Sequence, residues 1–154
     1  MEKASDPKQQ TVYTIGHVAR MFNISVATLR LYEAEGLIIP LKSKGKHRLF
    51  SEIEIRRISC IRQMIEEKGF NLAGIKMLLS TIPCWEIKQC SEEDRIYCDV
   101  FTLKPTKPCW QVEAKGQICS ISNCRECDVY VQTSGCTDIK TILNRYWRTR
   151  PNDQ

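Results

Sequence analysis

The chain has 154 residues, of which 42% are hydrophobic and 27% charged, and its net charge is +5. This length allows one ordinary domain or a small domain with a short appended module, and the composition is that of a globular protein in solution. No apolar run approaches the roughly 18 to 20 residues that cross a bilayer, and the polar first ten residues contain no hydrophobic signal core. We therefore expect a cytoplasmic protein without a membrane segment, with a disordered lead-in at residues 1–11.

Charge and cysteine content divide the chain near Pro83. Residues 1–83 carry 13 Lys and Arg against 8 Asp and Glu, whereas residues 84–136 carry 6 against 8. Eight of the nine cysteines lie in residues 84–136, and only Cys60 lies outside. We therefore expect a basic domain at 12–80, an acidic cysteine-rich module at 84–136 and a tail at 137–154.

The basic domain begins with two short helices joined by a tight turn. Apolar residues at helical spacing predict a helix over residues 13–21 with Thr14 as its N-cap, and Ser25 can cap a second helix over residues 26–33. The small Ala19 would lie where the two helices cross. This pattern predicts a helix-turn-helix, an arrangement that reads DNA.

A β-hairpin wing is predicted next, running from residues 37–40 through a polar turn to residues 48–50. The turn places Lys42, Lys44 and Lys46 close together around a glycine. Cations at this density repel one another unless a polyanion lies nearby, so we expect contact with DNA phosphates. A solvated loop is the alternative interpretation.

Two supporting helices complete the basic domain. Ser51 and Glu54 form a capping-box pattern that opens a helix ending near Gly69, and Asn71 can cap one more helix. Cys60 lies among isoleucines inside the first of these helices, so we interpret it as a buried core thiol.

Four motifs in this order and spacing resemble the MerR family of transcription regulators. They are residues 13–19 (YTIGHVA), residues 28–33 (TLRLYE) followed by Gly36-Leu37-Ile38, residues 48–50 (RLF) and residues 69–75 (GFNLAGI). The resemblance covers residues 12–80, and the second and fourth motifs look closest to the heat-shock repressor branch. It implies a mainly α winged helix-turn-helix with a small β-hairpin wing, and a regulator rather than an enzyme.

The resemblance also implies roles for individual residues. Arg30 and Tyr32 would meet the DNA, while Arg48 and Thr14 would each hold a phosphate. Leu31 departs from the family pattern, because many members have a second tyrosine there. The side-chain chemistry agrees in outline, since an arginine can pair with guanine edges or a phosphate and lysines add affinity without sequence information. The residues expected to contact DNA are Thr14, Ser25, Ala27, Thr28, Arg30, Tyr32, Lys42, Lys44, Lys46 and Arg48.

The cysteine-rich module contains an internal repeat. The motif Cys84-Trp85 returns as Cys109-Trp110, and the four residues 98–101 (CDVF) return as 127–130 (CDVY). In each copy a further cysteine, Cys90 or Cys119, precedes the last motif by eight positions. This duplication predicts a pseudo-symmetric module whose cysteines converge at its centre. Each tryptophan is expected to be the main apolar mass of its copy, or alternatively a shield over a metal centre.

Metal–thiolate bonds are the expected source of stability for this module. Disulfides are disfavoured in a reducing cytosol, and a segment so poor in aliphatic residues builds little core. Regulatory disulfides or inert thiols are the alternatives, and Cys136 is expected to be a spare ligand or a free thiol. The expected metal ligands are Cys84, Cys90, Cys98, Cys109, Cys119, Cys124 and Cys127.

The identity of the metal follows less directly from the residues. Both histidines lie in the basic domain, which disfavours mixed Cys/His zinc sites in the module. The spacing of Cys119, Cys124 and Cys127 resembles that of plant-type ferredoxins, so an iron–sulfur cluster is the first expectation and zinc the alternative. The module also resembles a family of small bacterial modules with two Cys-Trp motifs, a resemblance that implies metal binding.

The last predicted element is an amphipathic helix over residues 138–148, which would pack on the cysteine module or on a partner chain. Prolines interrupt every long dimerisation helix between residues 80 and 136. Because such proteins usually bind paired half-sites, we expect a homodimer on double-stranded DNA, with RNA polymerase as a candidate further partner. The leading hypothesis is an irregular metal-stapled module that senses redox or metal state; the alternatives are a purely structural zinc staple and a mount for a protein partner.

Overall fold

The computed structural model describes residues 11–148. The predicted lead-in therefore lies almost entirely outside the described residues, as does the end of the predicted tail. The described part is mostly helical with a small antiparallel sheet, which confirms the expected fold class. Among its helices, none combines the length and the apolar character that a bilayer crossing requires.

The N-terminal unit, residues 12–82, contains the helix-turn-helix that the sequence predicts. Thr14 and Ser25 cap the first two helices by accepting hydrogen bonds from the backbone N–H groups of His17 and Thr28. Asn23 turns the chain between these helices in the left-handed conformation, with φ of 51°. The elements are β1 Val12–Thr14, α1 Ile15–Phe22, α2 Val26–Ala34, β2 Leu41–Lys42, β3 Arg48–Ser51, α3 Glu52–Lys68 and α4 Leu72–Ser80.

The sheet of the described residues has the strand order β1-β3-β2, and both pairs are antiparallel. The predicted hairpin is confirmed, but its first strand is Leu41–Lys42 rather than residues 37–40. Leu37 and Ile38 are buried instead, and Pro40 has no N–H to donate to a ladder. Strand β1 was not predicted, because its pairing with β3 depends on residues more than thirty positions along the chain.

The N-terminal unit is built around apolar faces of α1 to α4. The capping box at the start of α3 is confirmed, since the Glu54 carboxylate accepts a 2.8 Å bond from the Ser51 N–H. Helix α3 ends at Gly69, where φ is 70°, as the sequence predicts. The buried apolar residues of this unit are Val18, Ala19, Leu29, Tyr32, Leu37, Ile38, Phe50, Ile58, Cys60, Ile61, Met64, Ile75, Leu79 and Ile82.

The cysteine module, residues 84–136, consists of short helical turns in which the repeat is visible as structure. In both copies the Cys-Trp motif starts a short helical turn, and Cys98 and Cys127 are the N-caps of matching helices. The elements are α5 Cys84–Ile87, α6 Glu92–Ile96, α7 Asp99–Thr102, α8 Gln117–Ser120, α9 Asp128–Gln132 and 3-10 turns at Cys109–Gln111 and Cys124–Glu126.

The last helix, α10 Cys136–Arg148, returns to the N-terminal unit. Cys136 forms a disulfide with Cys60 of α3, with the two Cα atoms 5.2 Å apart. The prediction of a buried Cys60 is confirmed, at 5% exposure, but the prediction that it is a free thiol is wrong, as are both expected roles of Cys136. The two cysteines are 76 positions apart in sequence, so only the folding-back of the chain brings them together.

Candidate functional site

The surface of α2 carries the first group of expected DNA contacts. The side chains of Ser25, Ala27 and Arg30 are exposed, and Thr28 is half-buried with its hydroxyl 2.9 Å from that of Ser25. An exposed arginine beside small residues on one helix has the reach and the clearance that entry into a major groove requires. The structure thus leaves these four residues available to DNA.

Tyr32 is buried, unlike these four residues, so its expected contact with DNA is wrong. Its side chain is 2% exposed and belongs to the core of the N-terminal unit. A ring buried this far has no surface to offer to a base or a phosphate. Its neighbour Leu31 is 46% exposed, so the position that departs from the family pattern is the one that faces solvent.

The wing carries the second group of expected contacts. Lys42, Lys44 and Lys46 are all exposed, and the turn is closed by hydrogen bonds between Ser43 and residues 46 and 47. Lys42 lies directly opposite Arg48 in the β2–β3 ladder. Like charges in that position are unfavourable unless an anion offsets them, and here the Glu33 carboxylate does so by pairing with Arg48.

Arg48 also ties the wing to α2. Its guanidinium forms an ion pair with the Glu33 carboxylate, and both side chains are only partly exposed. Thr14 lies opposite Leu49 in the β1–β3 ladder, beside the base of the wing. The structure therefore brings α2, the wing and the start of α1 into one unit, whose parts can meet a single DNA surface.

The seven remaining cysteines are free thiols that line two adjoining cavities. One cavity is lined by Cys84, Cys90, Cys98, Cys109 and Cys119. The other is lined by Cys84, Cys109, Cys119, Cys124 and Cys127. All seven cysteines that the sequence singles out thus converge, and three of them, Cys84, Cys109 and Cys119, face both cavities.

Crowding and burial raise the pKa of three of these thiols, Cys90, Cys109 and Cys119. A hydrogen bond with Cys84, together with burial, raises the pKa of Cys109 well above its ordinary value. Burial and neighbouring cysteines raise the pKa of Cys119 to about 11. The Lys115 ammonium nitrogen is 3.4 Å from Sγ of Cys124. The thiol form is therefore favoured at Cys109 and Cys119, two of the three cysteines that line both cavities.

A thiophilic metal fits the chemistry of this donor set, because every converging donor is a sulfur. The side-chain positions, however, do not yet form a metal site. Across residues 11–148, no three His, Cys, Asp or Glu side chains stand close enough together to hold one metal ion. The cysteines line common cavities, but in this arrangement they do not close on a single centre.

The second copy of the repeat docks on the segment that follows α2. The Trp110 indole N–H donates a 2.6 Å hydrogen bond to the Gly36 carbonyl oxygen. Gly36 has a φ of 69°, and a Cβ built there would lie 1.9 Å from the Gln111 side chain. Only glycine satisfies both the left-handed backbone and this close approach.

A buried polar network joins the same copy to α3. The Glu54 carboxylate, which is 0% exposed, accepts hydrogen bonds from Arg125 at 2.9 Å and from the Tyr130 hydroxyl at 3.1 Å. The Tyr130 hydroxyl accepts a bond from the Ile39 N–H at 2.9 Å, and Arg125 donates to the Ile39 carbonyl oxygen at 2.7 Å. The segment between α2 and the wing is therefore held by groups of the cysteine module.

Arg57 lies beside this network and is 2% exposed. It donates to the Tyr130 carbonyl oxygen at 2.5 Å and its guanidinium carbon is 5.0 Å and 4.4 Å from the ring centroids of Trp110 and Tyr130. Burial lowers the pKa of Arg57, and the nearby Tyr130 and Glu54 oppose that effect. Stacking between aromatic faces replaces part of the hydration that the guanidinium loses.

The sequence did not predict this contact between the two units. Glu54 was expected only as a capping residue, and no role was expected for Arg57. A signal was present, since both residues share a helical face with Ile58 and Ile61. Two opposite charges on an apolar stripe indicate a buried polar contact with another element.

Residues 13–82 match the family model described as MerR HTH family regulatory protein. The chain thus contains a MerR-family helix-turn-helix domain, and the cysteine module lies outside the matched residues. No solved structure matches the chain.

Three curated relatives match the N-terminal part of the chain, and two of them are transcription regulators by name. The HTH-type transcriptional regulator MlrA of Escherichia coli strain K12 is 41% identical over 70 residues, which are 45% of this chain and 28% of the relative. The putative heat shock protein HspR of Streptomyces coelicolor is 34% identical over 68 residues, 44% of this chain and 45% of the relative. The SoxR homolog of Chromobacterium violaceum, a transcriptional activator, is 35% identical over 75 residues, 49% of this chain and 50% of the relative. The matched part of this chain spans half or less of each of these three proteins.

Proposed function

We propose that this chain is a cytoplasmic DNA-binding transcription regulator in which a metal centre of the cysteine module controls how the N-terminal unit sits on DNA. One observation carries the proposal. The second copy of the repeat contributes cysteines to both cavities and also bonds to residues 36–39, between α2 and the wing. Cys109 precedes Trp110, which bonds to Gly36, so a change at the cysteines can act on the segment between α2 and the wing.

In this proposal Arg30 reads base edges from α2, while Lys42, Lys44 and Lys46 bind phosphates from the wing. Thr14, Ser25, Ala27, Thr28 and Arg48 complete the interface. The chain would act as a homodimer, because helix-turn-helix proteins usually bind half-sites separated by a helical turn of DNA. RNA polymerase is the further partner that we propose, and two motifs of this chain resemble those of the heat-shock repressor branch.

DNA binding is tested by comparing Arg30→Ala with Lys44→Ala on a site selected from random DNA. Arg30→Ala should weaken binding to the selected site by about 1–3 kcal/mol and leave random DNA nearly unaffected. Lys44→Ala should weaken binding to both DNAs alike and reduce the salt dependence, because a phosphate contact carries no sequence information. Equal losses on both DNAs for Arg30→Ala would contradict the proposed role of this residue.

The proposed metal ligands are Cys84, Cys90, Cys98, Cys109, Cys119, Cys124 and Cys127. An iron–sulfur cluster is our first choice and zinc the alternative. When bound, such a centre would supply redox or Lewis-acid chemistry and a positive charge that favours thiolate over thiol. The chain's own part is to hold the sulfurs around the two cavities and to cover them with the apolar bodies of Trp85 and Trp110.

Metal binding is tested by anaerobic purification with a visible spectrum and elemental analysis. Cys109→Ser removes a sulfur that faces both cavities, so it should abolish stoichiometric metal, whereas the double variant Cys60→Ser/Cys136→Ser should keep it. A brown protein that bleaches in air and changes its DNA affinity supports sensing. The second candidate is a structural zinc staple. It is favoured if the protein is colourless, contains stoichiometric zinc and keeps its DNA affinity when the metal is exchanged. That candidate is supported by the short helices and small apolar content of the module.

A further inference from the structure

We propose that Cys136 is a thiol-exchange site at which an anionic low-molecular-weight thiol opens the Cys60–Cys136 disulfide. The site is a cleft of about 360 Å³ between α3, α4 and α10. Cys136 is one of its lining residues and Cys60 is not, so the disulfide borders the cleft through Cys136. The proposal does not depend on the metal centre, because neither cysteine faces the two cavities of the module.

The two sulfurs of this disulfide differ in access. Cys60 is 5% exposed and lies in the core among Ile58, Ile61 and Met64. Cys136 is only partly buried at the start of α10. Since exchange requires a thiolate to reach the sulfur that it attacks, the structure selects Cys136 as the attacked atom and Cys60 as the leaving group.

The cleft also selects by charge. Its lining includes the two exposed lysines Lys68 and Lys140, and among the described residues that line it there is no carboxylate. The remaining surface is largely apolar, with Phe70 and Leu143 contributing to it. Positive charge of this kind raises the local concentration of anions, and the attacking species in thiol exchange is itself an anion.

The exchange step is balanced without any further reagent. The incoming thiolate forms a bond to Sγ of Cys136 as the disulfide breaks, and Cys60 leaves as a thiolate that takes up a proton from solvent. The product is a mixed disulfide on Cys136 and a buried thiol at Cys60. A second molecule of the same thiol, attacking the mixed disulfide, releases the oxidised small disulfide and leaves both cysteines reduced.

Opening this bond removes the covalent link between α10 and the N-terminal unit. Helix α10 would then be held by non-covalent packing, to which the buried Ile139 and Ile142 contribute. In mesophiles, cytosolic disulfides are usually transient and catalytic or redox-sensing. A bond with one sulfur open to small thiols has the access that such a reversible link requires.

The test uses the full chain with its disulfide formed, confirmed by non-reducing peptide mapping. The protein is treated with reduced glutathione, an anionic thiol, or with cysteamine, a cationic one, and then quenched with acid at early times. Each rate is divided by the rate of the same thiol with a small model disulfide, and we expect this ratio to be higher for glutathione than for cysteamine. The glutathione adduct should map to Cys136. Absence of the Cys60–Cys136 bond after oxidation, or an adduct on Cys60, would overturn the proposal.

Charge variants distinguish the effect of the cleft lysines on the exchange rate from the effect of the protein's overall charge. Lys68→Gln/Lys140→Gln should slow the glutathione reaction by about tenfold and leave cysteamine unchanged or faster. The control Lys104→Gln/Lys107→Gln removes the same charge from exposed positions of the cysteine module and should leave both rates unchanged. Equal slowing by both double variants would overturn the assignment of the cleft.

Discussion

The two copies of the cysteine repeat share an internal design but meet different surroundings. In each copy the tryptophan packs edge-on against the aromatic residue of the last motif, with ring centroids 5.2 Å apart for Trp85–Phe101 and for Trp110–Tyr130. An arginine stacks on the second ring in both, Arg95 on Phe101 and Arg57 on Tyr130. In the first copy that arginine belongs to the module, whereas in the second it comes from α3.

This difference shows how a duplicated unit acquires a binding role. The first copy completes its own small core, while the second leaves the arginine position to the N-terminal unit and adds the Tyr130 hydroxyl to bond with Glu54. Phe101 has no such hydroxyl. Substitutions at equivalent or similar positions should therefore cost more in the second copy than in the first, and the following predictions test that expectation.

The largest effect is expected for Arg125→Met. This change removes the cation bonded directly to the Glu54 carboxylate, which has no exposed surface, and should lower the free energy of unfolding by about 3–5 kcal/mol. Its control is Arg95→Met in the first copy. The Arg95 ion pair with Glu86 is partly exposed and worth about 0–1 kcal/mol, and its bond to the Cys90 carbonyl oxygen is only part-buried, so the loss should be smaller. Urea denaturation measures both, and similar losses would contradict the buried docking of the second copy.

A smaller effect is expected for Gly36→Ala, with Gly69→Ala as its matched control. Both glycines have φ near +70°, so each change costs about 1–2 kcal/mol in backbone conformation. A Cβ at Gly69 meets open space, whereas a Cβ at Gly36 overlaps the Gln111 side chain and should add about 1–3 kcal/mol.

The added cost identifies contact with the cysteine module. Gln111→Ala combined with Gly36→Ala should bring the loss back to that of Gly69→Ala, because the overlapping atoms are gone. Thermal or urea unfolding of the unaltered protein, Gly36→Ala, Gln111→Ala and the combined variant measures this cycle, and Gly69→Ala is unfolded beside them as the control. An unchanged loss in the combined variant would show that Gln111 does not press on residue 36.

The smallest effect is expected for Tyr130→Phe, which gives the second copy the residue type of the first. It leaves the Ile39 N–H without its acceptor and removes one donor from Glu54, a loss of about 1–3 kcal/mol in the free energy of unfolding. Tyr97→Phe, at a position 74% exposed, should stay within about 0.5 kcal/mol of the unaltered protein. If Tyr130→Phe is as stable as this control, the Tyr130 hydroxyl does not contribute to the docking contact.

The helices of the N-terminal unit could be predicted because their signals are local. Thr14, Ser25 and Asn71 each cap a helix by bonding to a backbone N–H three residues along the chain. Such contacts depend on neighbouring residues alone, so the sequence contains all of the information. The candidate DNA surface followed for the same reason, except at Tyr32, where helical spacing did not decide between the core and the solvent.

For the cysteine module, some features could be predicted from the sequence and others depend on the tertiary structure. Its duplication and the convergence of six of the sulfurs follow from the repeat, since equivalent residues take equivalent places. Cys124 has no counterpart in the first copy. The pairing of Cys60 with Cys136 and the docking of Trp110 and Tyr130 do not follow, because both depend on how the module packs on α3.

By itself, then, the sequence determined the helix-turn-helix, the exposed basic wing and a cluster of thiols. Only the tertiary structure decided that Tyr32 is core, that α10 is bound to α3 and that the second repeat holds residues 36–39. The physical reason is the distance along the sequence over which each interaction acts. Capping and amphipathic spacing act over a few residues, whereas disulfide partners, buried ion pairs and close glycine contacts join segments about seventy or more positions apart.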